Sequence, residues 1–146
     1  MQCQNKLIVH GLIEYEGYYL IIKRSKIKRG APNFYPEYWD IPGGTVENEE
    51  LPRNALLREI MEETGLRARI ETIIHEDSNL DIEKNTIFTR LVYRCSICDF
   101  ANEKIILDPE EHSEYDFIEK IHEKENVVPY LLAILTKKRY KKLLVF

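Results

Sequence analysis

A glycine turn followed by a helix crowded with carboxylates constrains this chain more than any other stretch. In Pro42-Gly43-Gly44 the proline stiffens the entry, and the two glycines permit close backbone approaches that side chains would forbid. Backbone carbonyls of this loop can therefore come near a ligand. Pro52 suits the first turn of a helix, where its absent N–H is not needed, and good helix formers continue from Ala55 to Glu63. Gly65 supplies the stop, with Leu66 as the apolar seal beyond it. At about 100° per residue, Glu59, Glu62 and Glu63 fall at i, i+3 and i+4 and share one face. Leu56, Leu57, Ile60 and Met61 take the neighbouring and opposite arc, so the helix is predicted to turn an apolar side to the core and an acidic side elsewhere.

Like charges at this spacing repel by a few tenths of a kcal/mol per pair, and a helix C-terminus prefers cations, so stability alone does not favour the pattern. A hard divalent cation removes the conflict, because Mg²⁺ and Mn²⁺ take oxygen ligands, often together with phosphate oxygens. Three glutamates in isolation read as a solvated acidic face. The glycine turn and the fixed spacing to Glu50 and Arg58 shift the reading to a metal site.

Gly44, five residues, Glu50, seven residues, then Arg58-Glu59-Ile60-Met61-Glu62-Glu63-Thr64-Gly65-Leu66 resembles the complete signature box of the Nudix hydrolases. Trp39-Asp40-Ile41-Pro42-Gly43 resembles the lead-in to that box in MutT-type members; downstream the likeness lies mainly in Glu111-His112 and Phe117. The resemblance implies a Nudix-like α/β/α sandwich, a mixed β-sheet between helices. It also implies hydrolysis of the diphosphate linkage in a nucleoside diphosphate joined to a variable group X. Mg²⁺ or Mn²⁺ would be held by Glu59, Glu62, Glu63 and the carbonyl of Gly43, with Glu50 and Arg58 supporting the ligands. The general base would be a box glutamate or one on a later loop, where Glu111 and its neighbour Glu110 are candidates. Arg24 and Gly44 are the substrate-binding candidates, Arg24 because its planar fork can bind phosphate oxygens bidentately. Two positions depart from the family pattern: Leu51 stands where a capping Ser or Thr is common, and Phe117 where relatives often carry Trp.

The group X is read by loops outside the box. No proline lies between Pro52 and Pro109, so the marker of ADP-ribose enzymes is absent, and residues 82–84 offer no tyrosine of the kind found in dinucleoside polyphosphate enzymes. Small size and the MutT-like lead-in favour a (d)NTP pyrophosphohydrolase that releases a nucleoside monophosphate and pyrophosphate. The alternatives are an ADP-ribose or nucleotide-sugar pyrophosphatase and an RNA 5′ pyrophosphohydrolase. From another class comes a non-catalytic nucleotide-sensing module, which an intact glutamate cluster disfavours.

The rest of the chain supplies an α+β frame of strands, helix, strands and helix, expected to form one domain over residues 1–146. Leu7 to Tyr15 and Tyr18 to Arg24 read as a hairpin whose continuous apolar character implies cover on both faces. Ser25 to Tyr38 reads as a long loop carrying Lys26, Lys28, Arg29, Phe34, Tyr35 and Tyr38, an assembly suited to phosphate attraction and base stacking. The single tryptophan, Trp39, is expected to anchor the glycine turn. Ala68 to Ile74 and Thr86 to Ile97 read as strands joined by a polar loop, Glu76 to Asn85. Ile105 to Leu107 is a short strand candidate, Asp108 to His112 a loop, Phe117 to Lys124 a helical turn or helix, and Val127 to Lys142 a longer helix with Pro129 in its first turn.

Cys95-Ser96-Ile97-Cys98 has CxxC spacing, but within a strand-like run the two thiols point to opposite faces, and Cys3 cannot complete a zinc site. His10, His75 and His122 read as ordinary structural residues. Lys137 to Lys142 reads as a basic run complementing the end of a terminal helix rather than an RNA contact. A formal net charge of −4 argues against a general nucleic-acid or membrane-surface binder. The expected partner is a small-molecule nucleotide, with no stable nucleic-acid partner, no membrane, and a homodimer left open. Three cysteines, together with an N-terminal stretch unlike a secretory signal, make the cytoplasm the expected compartment.

Overall fold

The computed structural model describes residues 2–99, 104–119 and 124–144, with residues 137–144 described by backbone alone. Its elements, in chain order, are β1 (Gln4–Tyr15), β2 (Tyr18–Arg24), β3 (Ile27–Lys28), β4 (Ala31–Pro32), β5 (Trp39–Asp40), β6 (Gly43–Thr45), α1 (Pro52–Thr64), β7 (Ala68–Asp81), β8 (Thr86–Ile97), β9 (His112–Ile118) and α2 (Pro129–Leu144).

One mixed sheet runs in the order β5-β2-β1-β8-β7, with β6 pairing onto β1 and β9 onto β2. β1 is its spine. It pairs antiparallel with β2 through the Glu16-Gly17 turn and parallel with β8 from Gln4↔Thr86 to Glu14↔Ser96. The continuous apolar run of β1 and β2 has its reason in the two helices. Alternate side chains go to opposite faces: Val9, Ile13 and Leu20 join Leu56 and Ile60 of α1, while Leu12, Tyr19 and Ile21 join Leu131 and Ile134 of α2. The molecule is thus a mixed sheet between helices, the sandwich expected from the sequence.

Helix α1 starts and stops as its sequence dictates. Leu51 is extended at the N-cap without a side-chain cap, Pro52 opens the helix, and Gly65 in the left-handed region donates its N–H to Met61 O. Its inner face is narrower than the apolar residues suggest. Leu56 and Ile60 are fully buried, but Leu57 and Met61 are 41% and 44% exposed, and Glu63 and Thr64 are buried instead.

Several expected boundaries move. The polar segment from Glu76 is strand rather than loop as far as Asp81, because β7 keeps pairing antiparallel with β8 through Glu76↔Leu91, Asp77↔Arg90 and Asn79↔Phe88. Backbone pairing at an exposed sheet edge does not require apolar side chains. The reversal is confined to residues 82–85, where the Asn85 N–H donates to Ile82 O. Phe117 and Ile118, expected to be helical, close β9, which pairs with β2 through Leu20↔Phe117 and Tyr19↔Ile118; residues 120–123, including His122, lie outside the described residues. Ile105 to Leu107 is not a strand, and the Ile106 N–H donates to Thr64 O past the end of α1. The long loop after β2 contains the small β3–β4 hairpin. Trp39 is buried, its N–H donating to Asn126 O and its carbonyl accepting from Val128, so it ties the approach to the glycine turn to the start of α2. The side chains of the Lys137 to Lys142 run lie outside those described, and among the described residues no helix is long and apolar enough to cross a membrane.

Two measurements test this packing. Ile60→Ala is expected to lower stability by about 2–5 kcal/mol in chemical denaturation, as for a fully buried aliphatic side chain truncated to Ala. Cys95 is buried with its thiol pushed up to about 12 by burial, while Cys3 and Cys98 are exposed. A thiol reagent should therefore titrate Cys3 and Cys98 in the native protein and reach Cys95 only after unfolding.

Candidate active site

The site begins where β6 lies against β1, in the register Val9↔Gly44 and His10↔Gly43. A Cβ on Gly43 would stand 2.2 Å from Val9 O and 2.5 Å from the His10 ring; one on Gly44 would stand 2.5 Å from the Glu59 carboxyl carbon. The glycines are therefore needed for space, and that space is filled by the strand on one side and a helix carboxylate on the other. The Gly43 N–H donates to Glu63 Oε2 at 3.0 Å, fastening the turn to the last turn of α1.

Arg58 stands among the carboxylates. Its Nε and Nη2 donate to the two oxygens of Glu50 at 2.8 and 3.0 Å, a bidentate pair. Nη1 donates to Glu59 Oε1 at 2.8 Å and Glu62 Oε2 at 3.3 Å, and Nη2 also reaches Thr45 O at 3.4 Å. The guanidinium holds the Glu50 carboxyl down at about 2, helped by the Glu47 N–H that Glu50 accepts. The same partners raise Arg58 itself.

Glu59 and Glu63 are placed otherwise. Burial pushes both upward; Arg58 opposes the rise at Glu59, whereas at Glu63 the Glu59 charge adds to it. Glu62 projects outward, with a side chain 56% exposed. Among the described residues no three Asp, Glu, His or Cys side chains are already gathered around one point, since Arg58 draws Glu59 and Glu62 to itself. The donor set nevertheless suits a hard divalent ion: all oxygens, with the buried Glu63 and the half-buried Glu59 crowded against each other at a glycine turn. Of the residues expected from the sequence, Glu50, Arg58, Glu59, Glu62, Glu63, Gly43 and Gly44 therefore share one locality.

Glu111 joins them from the turn just before β9. With His10, His112 and Glu63 it lines a small cavity of about 40 Å³. It is held by Lys28 at 3.0 Å and Arg29 at 3.6 Å, whereas Glu110 turns outward to Arg29. Arg24 lines the same cavity, but its fork is engaged: Nε donates to Phe34 O at 2.7 Å, Nη1 to Asp40 at 3.1 Å and Nη2 to Asn33 at 3.0 Å. In this arrangement Arg24 organises the loop after β2 before it serves any phosphate.

A larger cavity of about 530 Å³ opens from Gly43 and Gly44 past Arg24 and Lys28 to Phe34, Tyr35, Arg90 and Tyr130. Asp40 braces its floor, accepting from the Ile41 N–H, Arg24 and the Tyr130 hydroxyl. His10 and the Arg90 guanidinium flank the Tyr130 ring, with a centroid separation of 5.0 Å for His10 and a distance of 3.8 Å for the guanidinium. Burial lowers His10 and His112 to about 4, so both are neutral near pH 7. Sequence reasoning took His10 as a structural residue and passed over Asp40, Arg90, His112 and Tyr130 as site residues. Two signals were available: Asp40 lies in the lead-in to the turn, and Arg90 is a cation beside the apolar run Leu91-Val92-Tyr93 of β8. Tyr130 carried none, because a tyrosine in a first helical turn reads as core. His75 is paired within β7 and with β8 through Asp77, away from the turn.

The family model of the NUDIX domain matches residues 7–138. The chain is 31% identical over 143 residues to a nucleoside triphosphatase NudI of Escherichia coli O139:H28, covering 92% of this chain and 94% of that protein. Its fold is similar to that of a MutT NUDIX hydrolase from Burkholderia pseudomallei (TM-score 0.75, 21% identity, 91% of this chain and 97% of that one). It is equally similar to that of a MutT protein from Methanosarcina mazei Go1 (TM-score 0.75, 24% identity, 97% and 98%).

The two glycines should fail differently when a methyl group is added. Gly43→Ala meets backbone and is expected to destabilise the protein by about 1–3 kcal/mol or more, as overpacked sites do. Gly44→Ala meets only the end of the Glu59 side chain, so its melting temperature should stay near wild type while hydrolytic activity falls. Thermal melts and activity assays on the pair check both outcomes.

Proposed function

The chain belongs to the Nudix family, hydrolases of phosphoric anhydride bonds, and from that premise we propose that it is a nucleoside triphosphate pyrophosphohydrolase assisted by Mg²⁺ or Mn²⁺. The observation that carries the reading is the cavity of about 530 Å³ that joins the glycine turn to an aromatic end at Phe34, Tyr35 and Tyr130. It offers a place for phosphates beside the box and for a nucleoside beyond it. The likeness over 92% of the chain to a nucleoside triphosphatase supports the same substrate class.

Glu59, Glu62, Glu63 and the Gly43 carbonyl would hold the cation, which supplies charge neutralisation on the phosphates and a more acidic bound water. Arg58 fixes Glu59 and Glu62 and, through Glu50, the loop before α1. Lys28 adds positive charge on the substrate side of the cavity. The attacking water forms its new bond to the α-phosphorus as the bridging P–O bond breaks, and pyrophosphate leaves with the bonding electrons. Glu63 and Glu111 face one small cavity, large enough by volume for a water, and Glu111 takes the proton as general base.

Glu63→Gln and Glu62→Gln should each remove most turnover, by about a hundredfold or more, with the melting profile retained. Near-wild-type rates in either variant would sink the assignment. The reaction itself is tested with each triphosphate in the presence of Mg²⁺: phosphate should be detected only when pyrophosphatase is added. Orthophosphate without that enzyme would instead show cleavage at the γ position.

A further inference from the structure

Beyond the large cavity lies a smaller niche of about 230 Å³, lined by Ile8, Asp77, Asn79, Phe88 and Arg90. The two spaces share Ile8 and Arg90, so the groove that starts at the glycine turn continues across β1 and β8. Arg90 sits at the junction. One face of its guanidinium lies 3.8 Å over the Tyr130 ring, and Nη1 donates to Asp77 Oδ1 at 3.2 Å. Its Nε is buried and has no hydrogen-bond partner among the described residues. A buried donor of a charged group without an acceptor is costly; the guanidinium that carries it lines both cavities and its side chain is 25% exposed, so an acceptor from outside the chain can reach its remaining donors.

The chemistry of that acceptor is limited by the surroundings. Arg90 can only donate. Ile8 and Phe88 give the niche apolar walls suited to a flat ring, and the Asp77 carboxylate makes it a poor place for phosphate. The side-chain amide of Asn79 can donate or accept. A neutral ring bearing a carbonyl oxygen beside a ring N–H fits this set.

We infer that Arg90 selects the nucleobase, so that the enzyme favours bases with an exocyclic oxygen opposite the sugar (uracil, thymine, guanine) over those with an amino group there (cytosine, adenine). This rests on the reading of the substrate as a nucleoside triphosphate. Tyr130, stacked on Arg90 and bonded to Asp40, keeps the guanidinium in one plane and links base selection to the floor of the phosphate end.

The test compares kcat/KM for dTTP against dCTP and for dGTP against dATP in the wild type, Arg90→Met and Arg90→Lys, with thermal melts for each. The wild type is expected to favour the oxo base by about tenfold or more in both pairs, the scale of one well-placed Arg contact to a base. Arg90→Met should bring both ratios close to one, and Arg90→Lys should keep part of the preference. A merely structural role for Arg90 would lower all four rates together and leave the ratios unchanged. If Arg90→Met does not fold, the wild-type and Arg90→Lys ratios decide. Equal rates within each pair for the wild type, or unchanged ratios in a folded Arg90→Met, would overturn the inference alone. Absence of turnover with every triphosphate would overturn the substrate reading and this inference with it.

Discussion

One guanidinium holds the acidic end of this molecule in order. Without Arg58, Glu50, Glu59 and Glu62 would lose their shared partner, and like charges would spread into solvent. Its bidentate grip on Glu50, with the Glu47 N–H donating to the same carboxylate, turns the loop between β6 and α1 into a fixed link. Its remaining donors set where Glu59 and Glu62 point. Glu63, which receives no bond from Arg58, is held instead by the Gly43 N–H.

The second constraint is spatial. β6 can lie on β1 only because Gly43 has no side chain, and the missing side chain at Gly44 leaves room for the Glu59 carboxylate. The core then follows from β1, whose alternate residues feed the packing beneath α1 and the packing beneath α2. The carboxylates of the candidate site hang on the same helix that buries Leu56 and Ile60, so site geometry and core packing are parts of one arrangement. The polar floor of Asp40, Arg24 and Tyr130 extends that arrangement across the sheet to α2.

Much of this was legible in the sequence, because the box combines local rules of fixed spacing. A proline start, a glycine stop and carboxylates at i, i+3 and i+4 need no tertiary information, and the hairpin of β1 and β2 announces itself by continuous apolar runs. What was not legible depended on partners distant in the chain. The polar half of β7 is strand because β8 pairs with it, and the end of β9 is strand because β2 does. Arg24 looked available for phosphate until Asn33, Phe34 and Asp40 were seen to occupy its donors. His10 looked structural because a histidine in a strand carries no sign of which cavity it will border. Leu57 and Met61 show the converse, apolar residues that the helix leaves half in water.

The central claim is that the crowded carboxylates of α1 form the seat of a divalent cation. Its most direct test is Mn²⁺ binding followed by electron paramagnetic resonance in the absence of nucleotide, comparing the wild type with the Glu59→Gln/Glu63→Gln double variant. The account predicts uptake of Mn²⁺ by the wild type and loss of that uptake in the double variant at unchanged thermal stability. Equal uptake by both proteins would place the cation elsewhere and contradict it.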